Sequence, residues 1–226
     1  MSDVNPPYDN APTVSASRHS VDQRPRNARL GRSPLAHVIP PVVAPQMANA
    51  VGVRFMERRL LGHLTLRCDA QNTQQQLIAA QILGVALPCK PLTSVQQAEL
   101  TVCWLAPDEW LITVPPERAF ALESAFHERM VGHWAVVDVS SGLTVYRLTG
   151  PCVVAMLKKS VPVDLNPTTF PVGKVVTTVF AKVSATLRRV DEACWDVVVR
   201  RSFADYVWLW IQDASREFGI ALEPDM

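Results

Sequence analysis

The chain has 226 residues, of which 48% are hydrophobic, and a formal net charge of +1 at pH 7. This length and composition suffice for a buried core, whereas a near-zero net charge provides no basic surface of the kind that binds nucleic acid. No apolar run approaches the roughly 18 residues of a membrane-spanning helix, and the N-terminus lacks the apolar segment of a secretory signal. We therefore expect a soluble cytoplasmic protein that binds neither nucleic acid nor membrane.

The first fifty residues differ in composition from the rest of the chain. They contain eight of the eighteen prolines and few large apolar residues, so they bury too little surface to offset the entropy of ordering the chain. We predict a disordered arm over 1–32. The alternation of prolines with apolar residues in "SPLAHVIPPVVAP" then favours an extended segment over 33–58, lying on its own or a partner's surface, or a flexible linker. The domain is predicted for 59–226.

The domain contains a weak internal repeat. "GHLTLRCDAQNTQQQLIAAQILGVALP" and "LTVYRLTGPCVVAMLKKSVPVDLNP" each indicate a strand, a turn and a short helix, with Asn72 as a helix N-cap and Pro151 at a first helical position. Two strands around "APDE" or "DEAC" and a further helix follow. These patterns predict duplicated β-α-β-β-α units over about 60–132 and 143–220, forming a pseudo-symmetric α+β domain with antiparallel sheets.

Equivalent residues align the two units. Trp110 and Trp195 lie 85 positions apart, in the second strand of each strand pair. The helix that follows in the first unit is amphipathic, and its apolar face is formed by Ala119, Leu122, Phe126 and Met130. Because each unit leaves its sheet half covered, we expect the two units to pack against each other.

The helix predicted over 200–219, "RRSFADYVWLWIQDASREFG", carries more aromatic surface than one core face needs. Ser202 and Asp205 indicate a capping-box-like start, and Gly219 indicates a left-handed end. Helical spacing predicts a core stripe of Phe203, Val207, Trp210, Ile211, Ala214 and Phe218.

The aromatic surface outside that stripe is the candidate binding surface. Trp208 and Leu209 lie off the stripe, and with Tyr206 they are predicted to form a subunit interface, since Trp and Tyr are enriched in interface cores. The alternative is that Trp208 lies flat on its own domain.

Motifs for nucleotide or metal binding are missing from the sequence. The nine glycines include no G-x-G pair, and Gly173 with Lys174 lacks the remaining residues of a P-loop. His63, His127 and His133 do not show the H-x-x-x-H spacing of a zinc site, and His63 is interpreted as a strand residue at a sheet edge.

Serine and carboxylate candidates for catalysis are equally weak. Ser140 and Ser141 in "VDVSSGLT" lack the G-x-S-x-G elbow, so a turn is the better interpretation. Asp108 and Glu109 are adjacent and would point to opposite sides of a strand, so they favour a turn over a paired-carboxylate site.

The five cysteines are an odd number without any C-x-x-C spacing. This favours reduced, mostly buried thiols over a disulfide framework or a zinc site. They are Cys68, Cys89, Cys103, Cys152 and Cys194.

Five blocks occur in an order and spacing that resembles the gamma subunit family of heterotetrameric sarcosine oxidase, over about 33–220. They are "SPLAH", "LAPDEWLITVPP", "VVDVSSGLTVYRLTGP", "VPVDLNPTTFPVGKVVTT" and "VRRSFADYVWLWIQDASREFG". The "DVS…LTG" and "VRRSFADYVW" blocks look more distantly like the folate-binding aminomethyltransferase (glycine-cleavage T-protein) superfamily, whose duplicated α+β fold agrees with the repeat. Arg200 stands where the family commonly has Pro, Thr149 where it usually has Ser, and the 1–32 arm is extra.

The resemblance implies a role in an enzyme complex. Such complexes oxidise the N-methyl group of sarcosine or a related N-methyl amino acid, such as N-methylglutamate, and consist of alpha, beta, gamma and delta subunits. The resemblance places FAD, FMN, NAD, tetrahydrofolate and zinc on the other subunits. It implies no catalytic, cofactor-binding or metal-binding residue on the gamma chain, which supports assembly with its partners.

Two alternatives use the same fold without a complex of this kind. An independent folate-dependent aminomethyltransferase-like protein would need a carboxylate for acid/base work on a nitrogen, and Asp138 or Asp164 would be the candidates. The other alternative is a free-standing assembly factor.

Overall fold

The computed structural model describes residues 31–38, 51–223 and 225. The predicted disordered arm therefore lies outside the described residues except for its last two, and so does the 39–50 part of the predicted extended segment. In the remainder of that segment, residues 34–37 form a turn and Val53–Arg58 forms strand β1. The segment thus contributes a strand to the domain's own sheet.

The repeated units follow β1, and each contains one more strand than the sequence predicted. The first unit consists of β2 (Gly62–Cys68), α1 (Thr73–Leu83), β3 (Ser94–Gln97), β4 (Leu100–Ala106), β5 (Glu109–Val114) and α2 (Pro116–Arg129), and β6 (Trp134–Asp138) lies between it and the second unit. The second unit consists of β7 (Leu143–Thr149), α3 (Val153–Lys158), β8 (Val175–Phe180), β9 (Val183–Asp191), β10 (Cys194–Arg200) and α4 (Ala204–Ala214), and β11 (Ile220–Leu222) follows it. The additional strands are β3 and β8.

The strands form two sheets of related order, β3-β4-β5-β2-β6 and β8-β9-β10-β7-β1-β11. Among the described strands, every pair is antiparallel except β1 with β11. Strand β1 precedes the first unit but pairs with β7 of the second, and β6 precedes the second unit but pairs with β2 of the first. The predicted duplicated α+β fold is therefore confirmed, and an exchange of leading strands ties the two units into one domain.

Local signals fix several of the helix ends. Asn72 caps α1 by accepting hydrogen bonds from the amides of Gln74 and Gln75, as the sequence predicted. Helix α3 begins at Val153, two residues after Pro151, so the prediction of Pro151 at the first helical position is wrong. Pro116 takes that position in α2, where the missing N–H leaves no hydrogen bond unmade.

Each sheet is covered by helices on one face and by the other sheet on the opposite face. Helices α1 and α2 pack on the five-stranded sheet around the fully buried Trp110, and α3 and α4 pack on the six-stranded sheet around Trp195. The inner faces meet where Cys103 and Leu111 contact Val198 and its neighbours. The order of layers is helix, sheet, sheet, helix, with the equivalent tryptophans at the centres of the two outer cores.

A buried ionic network crosses the space between the two sheets. The carboxylate of Asp196 accepts hydrogen bonds from Nε and Nη2 of Arg147, at 2.8 and 2.9 Å. Arg188 lies 3.6 Å from the same carboxylate, and its guanidinium donates to Oγ of Ser94 at 2.9 Å and to Oε1 of Gln96 at 2.8 Å. Because Ser94 and Gln96 belong to β3, these contacts join the six-stranded sheet to the five-stranded one.

We expect Asp196→Ala to destabilise the chain by about 3 to 5 kcal/mol, because it leaves the buried guanidinium of Arg188 without a carboxylate partner. Asp213→Ala is the matched control, since Asp213 is exposed and its one ion pair among the described residues is with Arg216, just beyond the end of α4. That control should change the free energy of unfolding by less than about 1 kcal/mol. Urea unfolding of both variants measures the difference, and equal stabilities would show that the network does not hold the sheets together.

Candidate subunit interface

Helix α4 presents one face to the core and one to the surface. Its buried residues are Ala204, Val207, Trp208, Ile211 and Ala214. On the opposite side, the exposed fractions of Phe203, Tyr206 and Leu209 are 42%, 36% and 62%. These three residues, spaced three apart, are called the outer stripe below. Exposed large apolar side chains at this spacing form a continuous strip along a helix and are typical of a binding surface.

The sequence prediction for this helix is wrong for two aromatic residues. Trp208, predicted to face outward, is only 4% exposed, and its ring centroid lies 4.6 Å from that of Phe55 on β1. Phe203, predicted to lie in the core, is exposed. The buried face starts at Ala204, because β1 lies beside β7 and brings Phe55 against this side of the helix. Tyr206 and Leu209 remain candidates for the interface, and Trp208 does not.

The start of α4 also differs from the predicted capping box. Residues Arg201–Phe203 form a 3₁₀ turn, and Phe203 occupies the N-cap position without a side-chain hydrogen bond. Asp205 instead lies 2.8 Å from Nε2 of His37. Gly219 adopts a φ of 71°, which confirms the predicted left-handed residue, although α4 ends at Ala214.

The 33–38 segment is held beside α4 by a buried carboxylate of β1. Glu57 is only 5% exposed and accepts hydrogen bonds from Oγ of Ser33 at 2.7 Å and from the amide of Leu35 at 3.1 Å. Leu35 is buried in the same core as Trp208. A charge-assisted pair of hydrogen bonds therefore fixes the position of the segment against the domain.

An open cleft of about 730 Å³ lies between the 33–38 segment, the turn before β7 and the start of α4. Its charged and hydroxyl-bearing lining residues are Arg32, Ser33, His37, Ser141, Arg200, Arg201, Ser202 and Asp205. We call it the basic cleft. The guanidinium of Arg201 donates to the carbonyl oxygen of Arg32, which brings two of its three arginines together.

The carboxylates considered for acid/base chemistry each hold a local turn. Oδ1 of Asp138 accepts hydrogen bonds from the amide and the hydroxyl of Ser140, whose Oγ in turn accepts from the amide of His63. Oδ1 of Asp164 accepts from the amide of Asn166, and this bond lowers the pKa of the Asp164 carboxyl. Ser140 lies in a 3₁₀ turn, which agrees with the turn interpretation of "VDVSSGLT".

The predicted turn residues Asp108 and Glu109 share one cation. Nη2 of Arg67 donates to Oδ2 of Asp108 at 2.9 Å, and Nε of Arg67 lies 3.8 Å from Oε2 of Glu109. Asp108 lies in the turn between β4 and β5, and Glu109 is the first residue of β5. Both carboxylates thus neutralise an exposed arginine on the neighbouring strand β2.

His63 does not lie at a sheet edge. Strand β2 runs between β5 and β6, and His63 is 1% exposed. Burial lowers the pKa of His63 to about 4, so the imidazole is neutral at neutral pH. The ring of His127 packs instead against Trp134, with centroids 5.2 Å apart.

The described part of the chain contains no cluster of metal-ligating side chains, and two of its cysteines are buried, protonated thiols. Residues 31–38, 51–223 and 225 contain no group of three His, Cys, Asp or Glu side chains placed to hold a metal ion. All five cysteines are free, although only Cys68 and Cys103 are fully buried. Burial raises the pKa of Cys68 to about 11 and that of Cys103 to about 12, so both remain protonated thiols. None of the described helices is long and apolar enough to cross a membrane.

Comparison with known structures first defines the class of fold. The glycine cleavage system aminomethyltransferase T from Bartonella henselae matches 77% of this chain and 48% of its own with a TM-score of 0.56 and 15% sequence identity. A chain of the heterotetrameric sarcosine oxidase from Corynebacterium sp. U-96, solved in complex with pyrrole 2-carboxylate, matches 85% of this chain and 98% of its own with a TM-score of 0.74 and 30% identity. The domain therefore has the duplicated α+β fold found in aminomethyltransferases.

Sequence comparison then gives the family. Sarcosine oxidase subunit gamma from Corynebacterium sp. (strain U-96) is 32% identical over 198 residues, which cover 86% of this chain and 95% of the relative. The Arthrobacter sp. subunit gamma is 32% identical over 192 residues, covering 84% and 92%. The model of the sarcosine oxidase, gamma subunit family matches residues 67–217. The chain belongs to the sarcosine oxidase gamma subunit family, which confirms the resemblance seen in its sequence blocks.

We expect Trp208→Ala to destabilise the isolated chain by about 3 to 5 kcal/mol, because it removes a buried aromatic ring and leaves a cavity against Phe55. Leu209→Ala, one residue further along the same helix, should have little effect on stability because its side chain is exposed. Thermal melts of the free chain compare the two. If Trp208→Ala melts at the same temperature as the wild type, the Trp208 side chain is not part of the core and faces outward.

We expect the chain to lose stability as the pH falls from about 6.5 towards 4. The unfolded chain binds a proton at His63 near its ordinary pKa of 6.5, whereas the folded chain does so only near 4. The His63 contribution to stability is therefore fully present above pH 6.5, and about 2 kcal/mol of it should be lost between pH 7 and pH 5. Urea unfolding at both pH values measures the change. The loss of stability between pH 7 and pH 5 should be smaller in His63→Leu and unchanged in His133→Gln, whose imidazole is exposed. An unchanged loss in His63→Leu would show that His63 is not its cause.

Proposed function

We propose that this chain is the gamma subunit of a heterotetrameric complex that oxidatively demethylates sarcosine or a related N-methyl amino acid, such as N-methylglutamate. The observation that carries the proposal is the match to a chain of a heterotetrameric sarcosine oxidase over 98% of that chain's length at 30% identity. The 95% coverage of a gamma subunit relative supports it further. Its partners are then alpha, beta and delta subunits, and the complex belongs in the cytoplasm.

The role we propose for the chain is assembly rather than catalysis. The polar groups that a catalytic role would draw on are engaged in holding the fold, as Asp138 is with Ser140 and Asp196 with two arginines. His63 is buried and Asp164 closes a turn. We accordingly assign FAD, FMN, NAD, tetrahydrofolate and zinc to the other subunits. The alternative of an independent folate-dependent transferase has only the aminomethyltransferase fold in its favour, at 15% identity.

The outer stripe is the surface we assign to subunit contact. Tyr206 and Leu209 lie in the exposed face of α4, and Phe203 extends the same strip towards the basic cleft. Aromatic and large aliphatic side chains are the residues from which interface cores are built, and their removal from water on assembly is favourable. An assembly role thus accounts for apolar area that the chain's own core does not use.

The test is co-expression of the tagged chain with the three other subunits of its source organism. We expect a complex of all four chains that contains flavin, NAD and zinc and oxidises an N-methyl amino acid, and we expect none of these cofactors on the isolated chain. Truncating the outer stripe in Tyr206→Ala/Leu209→Ala should weaken assembly by about 2 kcal/mol or more, roughly 30-fold in dissociation constant.

Leu77→Ala is the control for that variant, because Leu77 is 60% exposed on α1, which belongs to the other unit. It should assemble as the wild type does. Stoichiometric flavin or metal on the isolated chain, or a fully active complex that forms without it, would overturn the proposed role. Undiminished assembly of Tyr206→Ala/Leu209→Ala would instead place the interface elsewhere on the surface.

A further inference from the structure

The basic cleft concentrates positive charge that the described residues do not neutralise. Arg32, Arg200 and Arg201 line it, and none of the three forms an ion pair with a carboxylate in the described part of the chain. Among the described residues that line the cleft, Asp205 is the one acidic side chain, and it lies 2.8 Å from Nε2 of His37. By contrast, Arg67, Arg147 and Arg188 elsewhere in the domain all have carboxylate partners.

The geometry of the cleft suits a carboxylate from outside the fold. Arg200 is exposed at the end of β10, and Arg201 begins the 3₁₀ turn that leads into α4. Guanidinium groups bind carboxylates through paired N–H donors, and such charge-assisted bonds are stronger than neutral ones. The hydroxyls of Ser141 and Ser202 supply further donors on the same walls.

The chain's own remaining segments have no excess of acidic residues. Residues 1–30 contain four arginines and three aspartates, and residues 39–50 contain no charged side chain. Neither segment carries a net negative charge, which favours an acidic occupant from another molecule.

The cleft is continuous with the outer stripe. Ser202 and Asp205 line the cleft, while Phe203 and Tyr206, their neighbours in the chain, belong to the stripe. The surface thus has a positively charged end and an apolar end on one stretch of chain. Interfaces commonly combine an apolar core with charged groups that fix orientation at its border.

We infer that the basic cleft binds an acidic segment of a partner subunit, whose Asp or Glu carboxylates meet Arg32, Arg200 and Arg201 while its apolar residues cover the outer stripe. This inference rests on the proposed function, since it names the chemistry of the partner at the same surface. The charged contact orients the partner and speeds its association, and the apolar contact supplies most of the affinity.

The experiment measures assembly of the full-length chain with its partner subunits at low and high salt. Charge reversal in Arg32→Glu/Arg200→Glu should weaken binding about tenfold or more at low salt and flatten its salt dependence. Arg118→Glu is the matched control, because Arg118 is an exposed arginine on α2 without an ion pair among the described residues. Thermal melts verify that each variant is folded.

A photo-crosslinking residue at position 202 identifies what occupies the cleft in the assembled complex. We expect a crosslink to a partner segment rich in Asp and Glu, and exchange of those acidic residues for arginine should restore binding to Arg32→Glu/Arg200→Glu. Crosslinking to residues 1–30 of the same chain, or to a partner segment without acidic residues, would overturn the inference. So would equal binding of the charge-reversal variant and Arg118→Glu. Failure of the wild-type chain to assemble with any of these subunits would instead refute the proposed function itself.

Discussion

The side chain of Arg188 is a directional contact on which the relative placement of the two sheets depends: it pairs with Asp196 in its own sheet and donates to Ser94 and Gln96 of the opposite sheet. Each repeated unit covers one face of its sheet with helices and leaves the other face open, and the open faces meet through a small apolar cluster around Leu111 and Val198. Apolar contact has no direction, so it does not by itself specify how one sheet lies on the other. Arg188 supplies that direction because its donors reach Ser94 and Gln96 on the opposite sheet while Asp196 holds its charge.

The exchange of strands also determines the surface around the basic cleft. Strand β1 pairs with β7 of the second unit, so its Phe55 packs against Trp208 and its Glu57 anchors the 33–38 segment. One strand thereby fixes both walls of the basic cleft, the segment on one side and the start of α4 on the other. The surface assigned to partner binding is consequently a product of tertiary pairing between distant parts of the chain, although its apolar residues lie within the short stretch 203–209.

Local patterns were sufficient for the features that depend on neighbouring residues. Asn72 precedes a polar run and caps α1, and the alternation around Trp110 and Trp195 predicts both in equivalent strands.

The errors in the sequence predictions concern features that depend on residues distant in the chain. Helix α4 contains two overlapping apolar stripes, and the pairing of β1 with β7 selects the one containing Trp208. The sequence predicts His63 at a sheet edge, because it does not show that β6 pairs with β2 on the side opposite β5. The basic cleft was missed for the same reason, since Arg32 and Arg200 are far apart in sequence.

The distribution of polar groups explains why binding by this domain is expected at its surface rather than between its sheets. Between the two sheets, polar side chains satisfy one another: Asp196 pairs with Arg147 and Arg188, and Arg188 donates to Ser94. Opening the interior to a ligand would separate buried charges from their partners, at a cost of several kcal/mol. The arginines of the basic cleft carry no such penalty. Arg32 and Arg200 are exposed to solvent, so their positive charge is available to select and orient a partner.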